Sequence, residues 1–252
     1  MRHNERVQEE FTRQGESFRD SPALGAVEIT SRIASALGDG HARLLDVACG
    51  PGVLFPTLSS CAETVVGIDL TLRSLQLSRE AEAARASLLV RGLSENLPFR
   101  SGSFDAAVLR LALHHFLEPG VALASVRSAL RAGGRLVVLD LVAPDNAEAR
   151  ALRDALERFR DPSHTNLLSR EEMRSHIERA GFAAPVETFW SQRREFTEWA
   201  RIIHEPRRMG DLKLVLNALS KCPGDLAGLE LSCEGEELWF TYHWGLFVAA
   251  AA

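Results

Sequence analysis

The stretch Leu44-Leu-Asp-Val-Ala-Cys-Gly-Pro-Gly-Val-Leu54 decides how the chain is read. An apolar run ends in a glycine turn and opens into a helical window near 52–60. Glycines there let the backbone approach a ligand closely, and a helix N-terminus favours a negatively charged ligand group. A second apolar run ends Val65-Val-Gly-Ile-Asp69, seventeen residues after Gly52. A carboxylate at the end of a second strand is placed to accept both hydroxyls of a ribose. These features predict an adenosine-containing ligand at the carboxyl edge of a sheet. Counted as a dinucleotide fingerprint, Gly50-Pro-Gly52-Val-Leu-Phe55 puts a bulky ring where a small third residue is required. In the other register, Ala48-Cys-Gly50-Pro-Gly52, preceded by Asp46, reads (G/A)xGxG after an acid.

Outward from this loop, short apolar runs alternate with helical stretches. Leu44–Ala48, Thr64–Leu70, Ser87–Val90, Phe104–Leu109 and Gly134–Leu141 are strand candidates, apolar at successive positions as in a parallel sheet buried on both faces. Helical windows near 52–60, 72–85 and 118–131 separate them, and βαβα alternation predicts an open, doubly wound α/β sheet. Two helices follow at about 146–160 and 169–180, the second closed by Gly181. A sixth strand is expected near 184–190 and a seventh near 238–249. Residues 5–37 read as two amphipathic helices, with Val7, Phe11 and Phe18, then Ala26, Ile29, Ile33 and Leu37 at helical spacing. The whole chain, 1–252, is expected to be one domain: N-terminal helices over 1–40, a core over 41–190, a helical cap over 191–236 and a last strand over 237–252.

Composition narrows the partners. The 252 residues are 46% hydrophobic with a formal net charge of −5, so no basic field exists to hold nucleic acid. The opening Met1-Arg-His-Asn-Glu-Arg6 has no apolar run of a signal peptide, and the apolar tail from Leu246 to Ala252 is too short to span a bilayer. Cys49, Cys61, Cys222 and Cys233 show no pairing motif, which points to free thiols in a reducing, cytoplasmic setting. The Arg- and Ala-rich bias suggests a bacterial source, and a homodimer is left open.

The (G/A)xGxG register is the form seen in S-adenosylmethionine (SAM)-dependent methyltransferases. The chain resembles class I methyltransferases of the ubiquinone/menaquinone-biosynthesis (UbiE-like) type, and within them a YcgJ-like bacterial branch. The resemblance also rests on Leu93-Ser-Glu-Asn-Leu-Pro-Phe99, Ser103-Phe-Asp-Ala-Ala-Val108, Leu113-His-His-Phe116 and Leu130-Arg-Ala-Gly-Gly-Arg-Leu136. Arg160-Asp-Pro-Ser-His164 is a mark of the narrower branch. It implies a Rossmann-like, seven-stranded, mostly parallel sheet with an antiparallel last strand. It also implies SAM as cofactor and S-adenosylhomocysteine (SAH) as product. Carried over, it places Ala48, Gly50 and Gly52 against the methionine part, with Asp46 before them. Asp69 takes the ribose hydroxyls, Leu70 and Leu93 border the adenine, Ser94 offers a backbone donor, and the backbone near Arg110 faces the cofactor's amino group. Leu93 stands where the family usually has aspartate, and Glu95 is a candidate substitute.

The acceptor is read as a small molecule methylated at carbon, nitrogen or oxygen, with a histidine as general base where a proton must leave. His114 and His115 lie just past the fourth strand, at the ligand-bearing edge of such sheets, and His115 is the first choice. His164 is a third candidate. No metal-ligand spacing is seen, and no metal is expected. In the cap, Arg193, Arg194, Arg201, His204, Arg207 and Arg208 form a basic cluster that either binds an anionic acceptor or is a solvated face. Phe189, Trp190, Phe196 and Trp199 are read as core before acceptor box. The N-terminal helices, through Phe11 and Phe18, either close over the cofactor or pack on the sheet edge. Rival readings remain: SAM bound for a non-methylating reaction such as a cyclisation, a non-catalytic partner subunit, and a dinucleotide oxidoreductase opposed by Phe55.

Overall fold

The computed structural model describes residues 2–21, 26–80, 88–203 and 205–252. Helices α1 (Arg2–Asp20) and α2 (Val27–Leu37) precede the alternating core. That core runs β1 (His41–Val47), α3 (Phe55–Cys61), β2 (Ala62–Asp69), α4 (Leu72–Glu80), β3 (Leu88–Arg91) and β4 (Phe104–Arg110). A single 3₁₀ turn at Leu113–His115 leads to α5 (Pro119–Ala129), β5 (Leu130–Leu141), α6 (Ala147–Arg160), α7 (Arg170–Arg179) and β6 (Val186–Glu195). The chain closes with α8 (Phe196–Ala200), α9 (Pro206–Leu219), β7 (Ser232–Glu234) and β8 (Glu237–Ala250). The end of the expected 72–85 helix and Ser87 lie outside the described residues.

The strand order is β3-β2-β1-β4-β5-β8-β6, with β7 paired to β8 off this path. Strands β3, β2, β1, β4 and β5 are parallel, while β8 runs antiparallel to both β5 and β6. This is the doubly wound, mostly parallel sheet that the sequence predicts, with one strand more than the seven expected. The addition, β7, is three residues long and returns onto β8 through Gly235, too short for any periodicity to show. Strand β6 also runs past its expected end at 190, because the fourteen-residue β8 offers partners as far as Trp239 opposite Glu195. The cap therefore begins at Phe196 rather than 191.

Successive apolar residues in the central strands face opposite ways, as the two-sided burial requires. Leu44 packs into the core that holds Ile29, Ile33, Leu58 and Trp199, whereas its neighbour Leu45 packs with Leu123, Val126 and Ile177 on the other face. Helix ends are fixed locally: Asn146 caps α6 by accepting from the Ala149 N–H at 2.9 Å, and Ser169 with Glu172 forms a capping box on α7. Helix α1 is different, for its buried residues are Glu10, Gln14 and Gly15.

Phe55 explains two glycines. Its ring is fully buried, and a Cβ on Gly67 would stand 2.6 Å from it. A Cβ on Gly52 would stand 2.7 Å from the same ring and 2.6 Å from the Ser78 hydroxyl, at a φ of +81°. Gly52 is thus required by packing, a role additional to the contact with the methionine part that the resemblance implies. Gly40 has a similar φ of +80° but nothing within 4 Å of an added Cβ. Gly40→Ala should cost about 1 kcal/mol from backbone strain alone, and Gly52→Ala should cost about 1–3 kcal/mol more from overpacking. Urea denaturation of the ligand-free protein checks the difference; equal losses would mean that the Phe55 contact carries no weight.

Candidate active site

The parallel strands all end at one edge, and a cavity of about 890 Å³ of open space, its mouth included, lies there. Its floor is Asp46, Ala48, Cys49 and Gly50 at the end of β1, Asp69 to Thr71 at the end of β2, and Arg110 to Ala112 at the end of β4. Leu93, Ser94 and Glu95 form one side. Asn4, Val7, Phe11 and Phe18 of α1 form the roof, so the apolar residues of this helix face the cavity instead of the core. Ala48 and Leu111 follow β1 and β4 at left-handed φ values of 56° and 52°. Such values strain a residue with a side chain and mark sites where the surroundings hold the turn.

Asp69 is held by two backbone donors: Gly50 N–H gives to Oδ2 at 2.8 Å and Thr71 N–H gives to Oδ1 at 2.7 Å. Each oxygen keeps a lone pair for a further donor. Burial raises the Asp69 pKa, and these two bonds pull against it. Gly50 has a φ of +55° and nothing within 4 Å of an added Cβ, so a ligand can lie on the bare backbone. Asp46 is 2% exposed, and its Oδ2 is buried without a hydrogen-bond partner. Burial pushes its pKa up to about 8, opposed by Arg110 and assisted by Asp69. Burial likewise lowers Arg110 to about 10. The Cys49 thiol is raised well above its ordinary value, first by burial and then by both aspartates, which leaves it unfit as a nucleophile.

A second cavity of about 540 Å³ adjoins the first and shares Phe11, Phe18, Leu111 and His115 with it. His114 lines it, its Nδ1 2.5 Å from Asp140 Oδ1. Asp140 is pinned by the N–H groups of Leu113 at 2.9 Å and Leu141 at 2.8 Å. Burial works against a charge on His114, but Asp140 more than offsets it and the pKa is raised. His115 donates from Nδ1 to the Ser163 carbonyl at 3.2 Å, which leaves the Nε2 lone pair free. Burial and then the neighbouring His114 push His115 down to about 3. Of the adjacent pair, His114 is therefore the one that takes up an additional proton, while His115 stays neutral. His164 lines neither cavity; it donates to Asp154 at 3.0 Å, with its ring 5.6 Å from that of His114.

The expected arginine cluster is divided. Arg193 is exposed and pairs with Glu234, and Arg201 and Arg207 are exposed. Arg208 donates to the Arg160 carbonyl at 3.2 Å, and His204 lies outside the described residues. Only Arg194 lines the second cavity, where Glu198 engages it at 3.0 Å. Alternation along β6 turns Arg193 and Arg194 to opposite faces. Of the four aromatics, Trp199 alone reaches the cavity, whereas Phe196 is core, Trp190 stacks on Trp244 and Phe189 packs on Phe247. Sequence reasoning missed Asp140, Gln14, Asp161 and Ser163. Asp140 had a legible signal, an isolated acid inside Leu136-Val-Val-Leu-Asp-Leu141, which a buried strand carries only with a partner.

Residues 45–138 match the model of the methyltransferase domain family. The uncharacterised methyltransferase YcgJ of Bacillus subtilis is 26% identical over 195 residues, covering 76% of this chain and 77% of its own length. The ubiquinone/menaquinone biosynthesis C-methyltransferase UbiE of a Geobacter species is 31% identical over 114 residues, 42% of this chain and 48% of that one. A crystal structure from Bacillus halodurans, described as that of a methyltransferase, superposes with a TM-score of 0.79 at 25% identity, over 90% of this chain and 98% of its own. These likenesses support a class I SAM-dependent methyltransferase of the UbiE/YcgJ type. The cavity fits that cofactor: the chain places there a buried carboxylate with one oxygen unpartnered, Asp46, beside bare backbone at Gly50 and lone pairs left on Asp69.

SAM carries a sulfonium and an ammonium, so it favours ionised Asp46. Below about 8 the methyltransferase must release that proton on binding, and affinity for SAM should rise with pH, by at most about tenfold per unit, levelling above it. Calorimetry in buffers of different ionisation enthalpy reads the released proton directly. Asp46→Asn should remove that share of the release; an unchanged release would show that the proton comes from elsewhere.

Proposed function

We propose that the protein methylates a small molecule seated in the second cavity, with His114 as general base and Asp140 as its orienting partner. The observation that carries this reading is the shared wall of the two cavities, with a His–Asp pair on the acceptor side. When bound, SAM supplies an already activated methyl group. The chain's residues then have three tasks: to hold the cofactor, to present the acceptor and to take its proton.

Holding falls to the first cavity. Asp69 takes the ribose hydroxyls on the lone pairs left by Gly50 and Thr71, and Asp46 faces the cationic end. Ala48 and Gly50 lay bare backbone against the methionine part, with the backbone at Arg110 across from it. Leu70 and Leu93 border the adenine, with a backbone donor from Ser94. Leu93 lines the wall together with Glu95, so Glu95 is available to the adenine amine in place of the usual aspartate. Presentation falls to Phe11, Phe18 and Leu111, which form the common wall. Positioning of this kind contributes about 7–11 kcal/mol to such a reaction in favourable cases.

The base is His114 rather than the first choice, His115. Its Nδ1–H is spent on ionised Asp140, which fixes the tautomer and leaves Nε2 to accept the acceptor's proton. Asp140 raises the basicity of His114, whereas burial beside His114 makes His115 a weak base. His115 shapes the passage between the cavities, and His164 supports the ring of His114 from behind.

Methyl-labelled SAM incubated with the protein and a small-molecule metabolite extract should put label into the small-molecule fraction. Asp69→Ala should abolish both that transfer and micromolar SAM binding measured by calorimetry. SAM binding without label transfer would overturn methyl transfer and favour the non-methylating use of the cofactor. Once an acceptor is in hand, kcat/KM should rise with pH as His114 loses its proton. Asp140→Asn should move that inflection to lower pH and slow turnover by about 10²–10⁴-fold; an unmoved inflection would remove His114 from the role.

A further inference from the structure

Arg160-Asp-Pro-Ser-His164 lines none of the first cavity, yet its Arg160 and Asp161 stand in the wall of the second. Asp161 accepts from the Ser163 hydroxyl at 2.6 Å and from Gln14 of α1 at 3.3 Å, and Ser163 in turn receives His115. His164 is tied to Asp154. Arg160 is the member whose hydrogen-bonding capacity is unspent. Its Nε donates to Glu157 at 3.0 Å, and the guanidinium lies 4.5 Å over the Trp199 ring. Its two terminal nitrogens make no hydrogen bond to any described residue, and the side chain lines the cavity. Arg194, the other guanidinium in that wall, is already engaged by both oxygens of Glu198.

The charges agree with the geometry. Glu157 is shared between Arg160 at 3.0 Å and Arg153 at 3.1 Å, so two guanidiniums answer to one carboxylate. Asp161, next in the chain, is a second anion facing Arg160, so the four charges balance before a guest binds and a doubly charged guest is disfavoured. Trp244 lines the same cavity with its indole N–H buried and unpartnered, a donor for one oxygen. Phe11, Phe18, Leu111, Leu141 and Ile202 add apolar surface to the wall, beside the polar Gln14, Tyr242 and the two histidines. Arg160 lines only the second cavity, so a group it holds lies away from the cofactor, and the far end of the guest points toward the shared wall at Leu111 and His115.

We propose that Arg160 receives a carboxylate of the acceptor, and that the substrate is a small, largely apolar monocarboxylate whose methyl-accepting group lies at the opposite end. A planar guanidinium fork stacked on an aromatic ring suits a carboxylate in a bidentate pair, where a lysine ammonium would not. This inference rests on the second cavity being the acceptor site.

The test uses full-length protein saturated with SAH, titrated calorimetrically with benzoate, phenylacetate and indole-3-acetate, each against its primary amide, and with phenyl phosphate. At least one acid should bind about tenfold or more tightly than its amide, as a charge-assisted pair requires, and more tightly than phenyl phosphate. Arg160→Met should erase the acid-over-amide preference, and Arg160→Lys, which keeps the charge and the pair with Glu157, should keep only part of it. SAH affinity and melting temperature are measured on each variant. With SAH binding intact, equal binding of acids and amides, no binding of any acid, a preference for phenyl phosphate, or a preference surviving in Arg160→Met would each overturn the proposal. Failure of the unaltered protein to bind SAH would instead overturn the cofactor reading, and this inference with it.

Discussion

The loops leaving β1 and β2 are tied by the carboxylate of Asp69, which takes the Gly50 N–H on one oxygen and the Thr71 N–H on the other. Those two bonds hold the glycine loop at its left-handed φ and keep the carboxylate itself from turning away. Everything on the cofactor side follows from that clamp. The bare face at Gly50, the position of Asp46 in the strand end below it, and the open lone pairs of Asp69 all depend on the two strand ends being held in register. Phe55 supports the clamp from beneath, since its ring lies against both Gly52 and Gly67, one in each loop-bearing strand unit.

In the second cavity the organising pair is His114 with Asp140. His114 lies in the turn that follows β4 and Asp140 near the end of β5, and these ends are adjacent because the two strands pair in parallel. Parallel pairing puts the residues after both strands at one edge, so the pair needs no long side chains to meet. Asp140 spends its other contacts on the backbone of Leu113 and Leu141, which makes it a fixed charge and not a mobile one.

Much of this architecture is legible in the order of the residues. The apolar runs around Leu44, Val65 and Val137 identify buried parallel strands, and the loop from Asp46 to Gly52 with Asp69 identifies the ligand edge. Where the sequence is silent, the reason is long range. Gly52 and Gly50 look alike in a motif, and only contacts with Phe55 and Ser78 show that Gly52 is also required by packing. The histidine pair is visible, whereas the choice between its members is not, because basicity depends on Asp140, twenty-six residues from His114 in the chain. The arginine cluster is visible as composition, and the alternation of β6 disperses it. Arg160 is visible as part of a motif, but its free nitrogens follow only from what surrounds them in the fold.

Helix α1 buries Glu10, Gln14 and Gly15 while its aromatic residues overhang the two cavities. Its ties to the rest of the chain include the buried Gln14–Asp161 bond, the ring contact of Phe11 with His115, and partly exposed ion pairs such as Arg13 with Glu205 and Arg19 with Glu80, each pair contributing at most about 1 kcal/mol. The helix packs on α4 where Gly15 meets Leu77, while its aromatic side chains face the cavities. A ligand in either cavity would therefore add apolar surface beneath α1, so occupancy of the cavities and the hold on that helix are thermodynamically linked.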